Sequence, residues 1–250
     1  LMRGGKLFTT EETAWKRLGI IGIISTALPF RLISWGQQYV TSSFAGLAMA
    51  SMPLFVLPLA YFFNTNEALD RSKFIGLIIG FLGIVILFSP DFTLGDDTSI
   101  LITLGKSACI LAAFCYASNS ILMRKLPSID PVGLAAMSLL IGSVWAVLWA
   151  IAIEGPPPNI STETLLILIL LGLLPTAMAN FIRVVLIREV GPVFLGITNY
   201  IVPLWAAMVG ALVLKEALPI EFYLAATITI AGIYISQMKA LATLVRSFKQ

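Results

Sequence analysis

Apolar residues along this chain come in long blocks, and short polar stretches separate the blocks. The blocks fall at about 18–38, 43–63, 74–90, 100–123, 132–153, 164–187, 193–214 and 222–240. Each approaches the ~20 residues that a helix needs to cross a hydrocarbon core of ~30 Å. Strands of a membrane barrel would be about half as long and would alternate polar with apolar positions, which these blocks do not. The pattern predicts an all-α polytopic membrane protein with eight transmembrane helices in the visible chain. Between the blocks lie stretches of turn chemistry: "SPDFTLGDDTS", "LPSIDP" and "EGPPPNIST".

Composition agrees. The chain is 58% hydrophobic and 12% charged, with a mean hydropathy of +0.96, where a soluble domain carries roughly 25% charged residues. No single water-soluble core could hide so much apolar surface. There is no soluble domain, low-complexity tail or nucleic-acid patch, so the expected partners are a lipid bilayer and a small molecule.

Charge placement sets the orientation. If the first block runs from inside to outside, twelve lysines and arginines fall on cytoplasmic segments and only Lys215 on the opposite loops. Loops rich in Lys and Arg stay in the cytoplasm, which puts the C-terminus inside. Cys109 and Cys115 lie six residues apart in one apolar block. That spacing suits neither a zinc site nor a helix-face pair, and small packing residues is the reading that remains.

The chain also repeats itself. "GLAMASMPLFVLPLAYFFNTNEAL" begins at Gly46 and "GITNYIVPLWAAMVGALVLKEAL" at Gly196. Both open on Gly, place Pro seven residues later and end in Glu-Ala-Leu. Shifted by 150, residues 22–63 and 172–213 share eight identities without a gap, among them Gly22/Gly172, Thr26/Thr176 and Pro53/Pro203. With one residue dropped in the loop, the match runs on to Gly83/Gly232. One period holds five blocks, an odd number, so successive copies sit upside down relative to each other. Inverted repeats of this kind are an architecture of secondary transporters, with the substrate site near the midplane between the halves. The first copy lacks partners for the blocks at 100–123 and 132–153. We therefore expect residues 1–90 to be the last three helices of a first repeat and 91–250 a complete second repeat of five. The parent would then have ten helices in a five-plus-five arrangement.

The segments "TSSFAGLAMASMPLFVLPLAYFFNTNEAL" and "VGPVFLGITNYIVPLWAAMVGALVLKEAL" resemble the two signature segments of the EamA family in the drug/metabolite transporter superfamily. Both tails depart from that family's pattern: they lack its Gly and carry Ala where Arg is common. The resemblance implies a transporter of small metabolites, often amino acids, in the inner membrane of a bacterium or archaeon. It covers the whole chain, less the family's first two helices, and says nearly nothing about substrate.

Candidate chemistry sits where the blocks are interrupted or polar. Pro53 and Pro203 occupy matching mid-block positions and free the carbonyls of Met49 and Asn199. Such groups are tolerated at membrane depth where they meet protein, water or substrate, and a packing kink is the plainer alternative. Asn199 shares a helix face with Pro203, and Tyr200 lies beside it. Asn119 and Asn180 join the candidates, with interhelical hydrogen bonding as the alternative. Arg31 and Lys106 are intramembrane cations, costing at least ~2.5 kcal/mol each on insertion scales, and no carboxylate lies at their depth. A substrate carboxylate or phosphate would satisfy them; so would backbone carbonyls or snorkelling outward. Trp35 continues the Arg31 face. Gly76 and Gly80 form a GxxxG, which permits close helix approach either within one chain or between the subunits of a homodimer.

No His occurs, and every Asp and Glu lies in a loop or at a helix end. Hydrolytic or metal chemistry therefore has almost no parts here. No catalytic residue, metal or cofactor is expected. The substrate-binding candidates are Arg31, Trp35, Met49, Pro53, Lys106, Asn119, Asn180, Asn199, Tyr200 and Pro203. An exporter or exchanger working by alternating access is the leading reading. A non-transporting scaffold or regulatory protein is the main rival, and a membrane-embedded enzyme a weaker one.

Overall fold

A computed structural model describes residues 12–63, 71–88, 97–126, 129–156, 159–189, 205, 208–215 and 220–247. Regular structure among them is helical. In order come α1 (Glu12–Gly22), a π-turn (Ile23–Ala27), α2 (Leu28–Gly36), α3 (Ser42–Ala50), α4 (Met52–Phe62), α5 (Arg71–Phe88), α6 (Asp97–Arg124) and α7 (Pro131–Glu154). They are followed by α8 (Thr162–Leu171), a second π-turn (Gly172–Met178), α9 (Ala179–Glu189) and, near the C-terminus, α10 (Ile220–Ser247). Five segments among the described residues are long and apolar enough to cross a membrane: Trp15–Gly36, Ser42–Phe62, Ile100–Arg124, Pro131–Glu154 and Thr162–Ile187. They match the first, second, fourth, fifth and sixth apolar blocks. α5 and α10 answer to the third and eighth, while most of the block at 193–214 lies outside the described residues.

The helix ends follow the local sequence. Thr41 caps α3 by accepting from the Phe44 N–H at 3.2 Å. Asp130 caps α7 by accepting from Val132 N–H at 2.9 Å, with Pro131 pre-set for the first turn. Ser161 does the same for α8 through Thr164 N–H. α7 ends at Gly155, whose φ of 83° suits a residue with no side chain.

The chain forms two units, Leu1–Arg31 with Leu122–Leu195, and Leu32–Ile121 with Gly196–Gln250. In the second unit, α5 and α10 cross with their backbones in contact. A methyl group on Gly76 would strike the Gly232 carbonyl and Ser236, and one on Gly83 would strike Thr229. Ser72 Oγ adds a hydrogen bond to the Ile235 carbonyl at 2.7 Å. Lipid tails are as apolar as leucine, so helices in a bilayer associate through close packing of small residues such as these. The GxxxG is thus filled from within the chain, by α10 at Gly76 and by Leu54 of α4 at Gly80. Beside this crossing, Phe44, Leu47, Ala48 and Cys109 pack with Phe222 and Ala225. Gly36 meets the Gly105 carbonyl and Cys109 Sγ where the end of α2 reaches α6. Both cysteines are buried and free, in keeping with a packing role.

Candidate functional site

In the first unit, α1–α2 lies against α7 and is held at three levels. Arg17 Nη1 donates to the Lys125 carbonyl at 3.1 Å near one end. In the middle, a methyl on Gly22 would come within 2.6 Å of Ile141 Cγ2, and one on Gly142 within 2.6 Å of Thr26 Cβ. At the other end Arg31 Nη1 donates to Glu154 Oε1.

The middle level coincides with the π-turn. Here the hydrogen-bond register widens, so that Leu28 N–H reaches the Ile23 carbonyl five residues back. Pro29, which has no N–H to give, follows at once. Ser25 and Thr26 are buried in this turn with their hydroxyl oxygens 3.2 Å apart. The second π-turn, Gly172–Met178, stands one repeat period later and contains Pro175. Thr176 Oγ1 donates at 3.0 Å to the Leu171 carbonyl, five residues back. Single π-turns inside α-helices occur frequently at functional sites. Here they lie about 150 residues apart, at the shift that aligns Gly22 with Gly172 and Thr26 with Thr176.

Arg31 has a partner that the sequence did not offer at membrane depth. Glu154 is the last residue of α7, and Arg31 sits five residues before the end of α2. The two helix ends therefore bring them to one level. Both side chains remain accessible, at 38% for Arg31 and 58% for Glu154. Depth in the sequence separates the two residues, but the reach of both side chains joins them. Asn180, on α9, donates to Ser138 Oγ of α7 at 3.4 Å, the interhelical hydrogen bond foreseen as its alternative role.

The second unit holds Trp35, Met49, Pro53, Lys106 and Asn119. The span Ser42–Phe62 is broken at Ser51, with Pro53 in the first turn of the following helix. Ser51 closes the first half by donating both its N–H, at 3.2 Å, and its Oγ, at 2.6 Å, to the Ala48 carbonyl. A second proline, Pro58, lies inside α4 and withholds an N–H from the Leu54 carbonyl. Met49 packs at the edge of the Phe44 cluster. The Lys106 ammonium stands 5.5 Å from the centre of the Phe44 ring, within cation–π range. Trp35 packs on Tyr39, their rings 5.1 Å apart. Asn119 is fully buried, and neither its Nδ2 nor its Oδ1 has a hydrogen-bond partner among the described residues. Asn199, Tyr200 and Pro203 lie outside the described residues.

Comparison with known proteins decides the class. The EamA-like transporter family matches residues 1–89 and 103–238. The chain belongs to that family. EamA proteins are transporters and not enzymes, and this one is a multi-pass membrane protein. Among its relatives is the uncharacterized transporter YoaV of Bacillus subtilis, 24% identical over 207 residues, covering 82% of this chain and 70% of YoaV. An uncharacterized transporter of Archaeoglobus fulgidus is 24% identical, with 90% and 77% covered. A WAT1-related protein of Arabidopsis thaliana is 20% identical, with 86% and 65% covered. A solved crystal structure shares the fold at a TM-score of 0.64 and 18% identity, over 96% of this chain and 81% of that one.

Proposed function

We propose that this EamA transporter carries small metabolites bearing a carboxylate, amino acids and similarly amphipathic acids among them, by export or exchange. Two inverted repeats, residues 1–90 and 91–250, would alternate access to a site near the midplane. The observation that carries this reading is the matched interruption of the helices, with π-turns at Ile23–Ala27 and Gly172–Met178. Paired interruptions at corresponding repeat positions are the best sequence-level pointer to a transporter's binding site. The break at Ser51–Pro53 adds a third irregular stretch of backbone.

In this reading Arg31 receives the substrate carboxylate, and Glu154 is the resident anion that the substrate displaces. Asn119 supplies a polar group already stripped of water. Trp35, Met49, Pro53, Lys106, Asn180, Asn199, Tyr200 and Pro203 are the further substrate-binding candidates in this reading. Exchange needs no titrating group at membrane depth, which fits the placement of every Asp and Glu in loops or at helix ends. The excess of Lys and Arg on one set of loops supports a cytoplasmic C-terminus, and the family resemblance supports the inner membrane of a bacterium or archaeon as the host membrane.

Counterflow of labelled metabolites through the purified, full-length gene product in liposomes tests this. Accumulation driven by an opposing gradient of an amino or other carboxylic acid is the expected result. Flux no greater than in empty liposomes across a broad panel of acids would overturn it. A reporter fused after Gln250 should be active only in its cytoplasmic form.

A further inference from the structure

The end of the first unit opposite Glu154 gathers positive charge. Arg17 Nη1 donates to the Lys125 carbonyl at 3.1 Å, which brings the start of α1 against the turn between α6 and α7. Leu126 and Ile129 are buried in that turn, and the Lys125 and Leu126 amides fold back onto the Leu122 and Met123 carbonyls. Arg124 and Lys125 are left facing outward; both are exposed, as is Arg17. Asp130, the carboxylate of the same turn, is buried and caps α7. A carbonyl accepts a hydrogen bond but carries no net charge, so the contact with Lys125 does not neutralise Arg17. Lys16 lies four residues after Glu12, the spacing of a helical ion pair, so the cluster proper is Arg17, Arg124 and Lys125.

The cluster stands at headgroup level. The apolar span Trp15–Gly36 begins two residues before Arg17, and Ile100–Arg124 ends on Arg124 itself. Trp15 is exposed at the start of its span, and tryptophan is enriched where membrane meets water. Ile20, one turn into α1, and Val132, in the first turn of α7, are exposed apolar side chains. Cations at the boundary, with apolar surface just beneath them, suit a ligand with a phosphate at one end and acyl chains at the other. Basic pockets between transmembrane helices bind anionic lipid headgroups in this way. Arg17 has N–H groups beyond the one given to Lys125, and the guanidinium fork matches phosphate oxygens.

We propose that Arg17, Arg124 and Lys125 form a binding site for the headgroup of an anionic phospholipid. Its phosphate bridges the start of α1 and the α6–α7 turn, reinforcing the contact that Arg17 makes with Lys125. Bound lipid therefore stabilises the first unit. The proposal depends neither on the transported substrate nor on which leaflet the cluster faces.

The test follows the melting temperature of the purified, full-length gene product in detergent as lipid is added. Phosphatidylglycerol should raise it saturably, while phosphatidylcholine and water-soluble glycerol 3-phosphate at equal concentration should not. Each cation near an anionic lipid surface accounts for roughly a fivefold change in affinity. Arg124→Gln should therefore raise the half-saturating phosphatidylglycerol concentration about fivefold, and Lys125→Gln in addition about 25-fold in all. Arg71, an exposed cation at the start of α5, supplies the control, and Arg71→Gln should keep the parental response. Four results would overturn the proposal: equal stabilisation by phosphatidylcholine, the same effect from glycerol 3-phosphate, a parental response in the Arg124 and Lys125 variants, or a loss in Arg71→Gln as large as in Arg124→Gln.

Discussion

Arg31 Nη1 donates to Glu154 Oε1, tying α2 to the last residue of α7. Fourteen residues earlier, roughly 20 Å along the helix, Arg17 holds the Lys125 carbonyl near the start of α7. The two helices therefore run side by side, pinned at both ends and pressed together at Gly22 and Gly142. Exposed ion pairs contribute only about 0–1 kcal/mol to stability. The Arg31 pair thus matters for what Arg31 does and hardly for whether the protein folds.

Replacing Arg31 with Gln should then leave the melting temperature in detergent nearly unchanged and weaken carriage of carboxylates. A hydrogen bond to a charged group contributes about 1.5–3 kcal/mol, so the KM for an acid substrate should rise roughly 10- to 100-fold. Arg31→Lys should recover part of this, since an ammonium supplies the charge without the planar fork. Parental transport of acids by Arg31→Gln would remove Arg31 from the site.

Glu154→Gln separates displacement from a mere clasp. If Glu154 competes with the substrate for Arg31, removing its charge should lower the KM for an acid and leave neutral substrates unaffected. A purely structural clasp would predict the reverse for acids, or equal losses for both. Uptake measured with an amino acid and with its amide distinguishes the two.

Much of this arrangement is legible in the chain, and the failures have physical causes. Helices crossing a bilayer must satisfy their backbone internally, so span length and apolar character reveal them directly. The break at Ser51 was announced by Pro53, because a missing N–H has a fixed address four residues back. The π-turns were not announced. They are a shift of hydrogen-bond register, and their prolines sit at different offsets, Pro29 after the first turn and Pro175 inside the second. The Arg31–Glu154 pair escaped for another reason: it depends on which helices run side by side, and that follows from Gly22 and Gly142 rather than from depth.

The glycines give a graded test of packing. A Cβ on Gly232 would overlap the Gly80 and Gly76 backbones, which cannot swing aside as a side chain can. Overpacking of a filled site costs about 1–3 kcal/mol. Gly232→Val and Gly76→Val should lower thermal stability in detergent by at least that range. Gly19→Ala is the control, since nothing lies within 4 Å of its new methyl. There the gain in helix propensity should stabilise by roughly 0.5–1 kcal/mol. Equal melting temperatures for Gly232→Val and the parent would mean that α5 and α10 do not cross as described.

Asn119 offers the sharpest separation of folding from function. It is wholly buried in α6 with both polar atoms unpaired among the described residues, while its neighbour Ser120 bonds the Tyr116 carbonyl within the helix. A buried polar group without a partner costs about 1–3 kcal/mol, and native structures keep such groups chiefly where something else uses them. Leucine has nearly the same shape and no polar atoms to strand. Asn119→Leu should therefore match or exceed the parent in thermal stability while losing most of its transport. Asn119→Asp should lose stability as well, because it buries a charge where the amide was neutral. If Asn119→Leu gains stability and transports acids at the parental rate, the amide has no part in recognition, and the carboxylate site narrows to Arg31 and the backbone freed at the helix breaks.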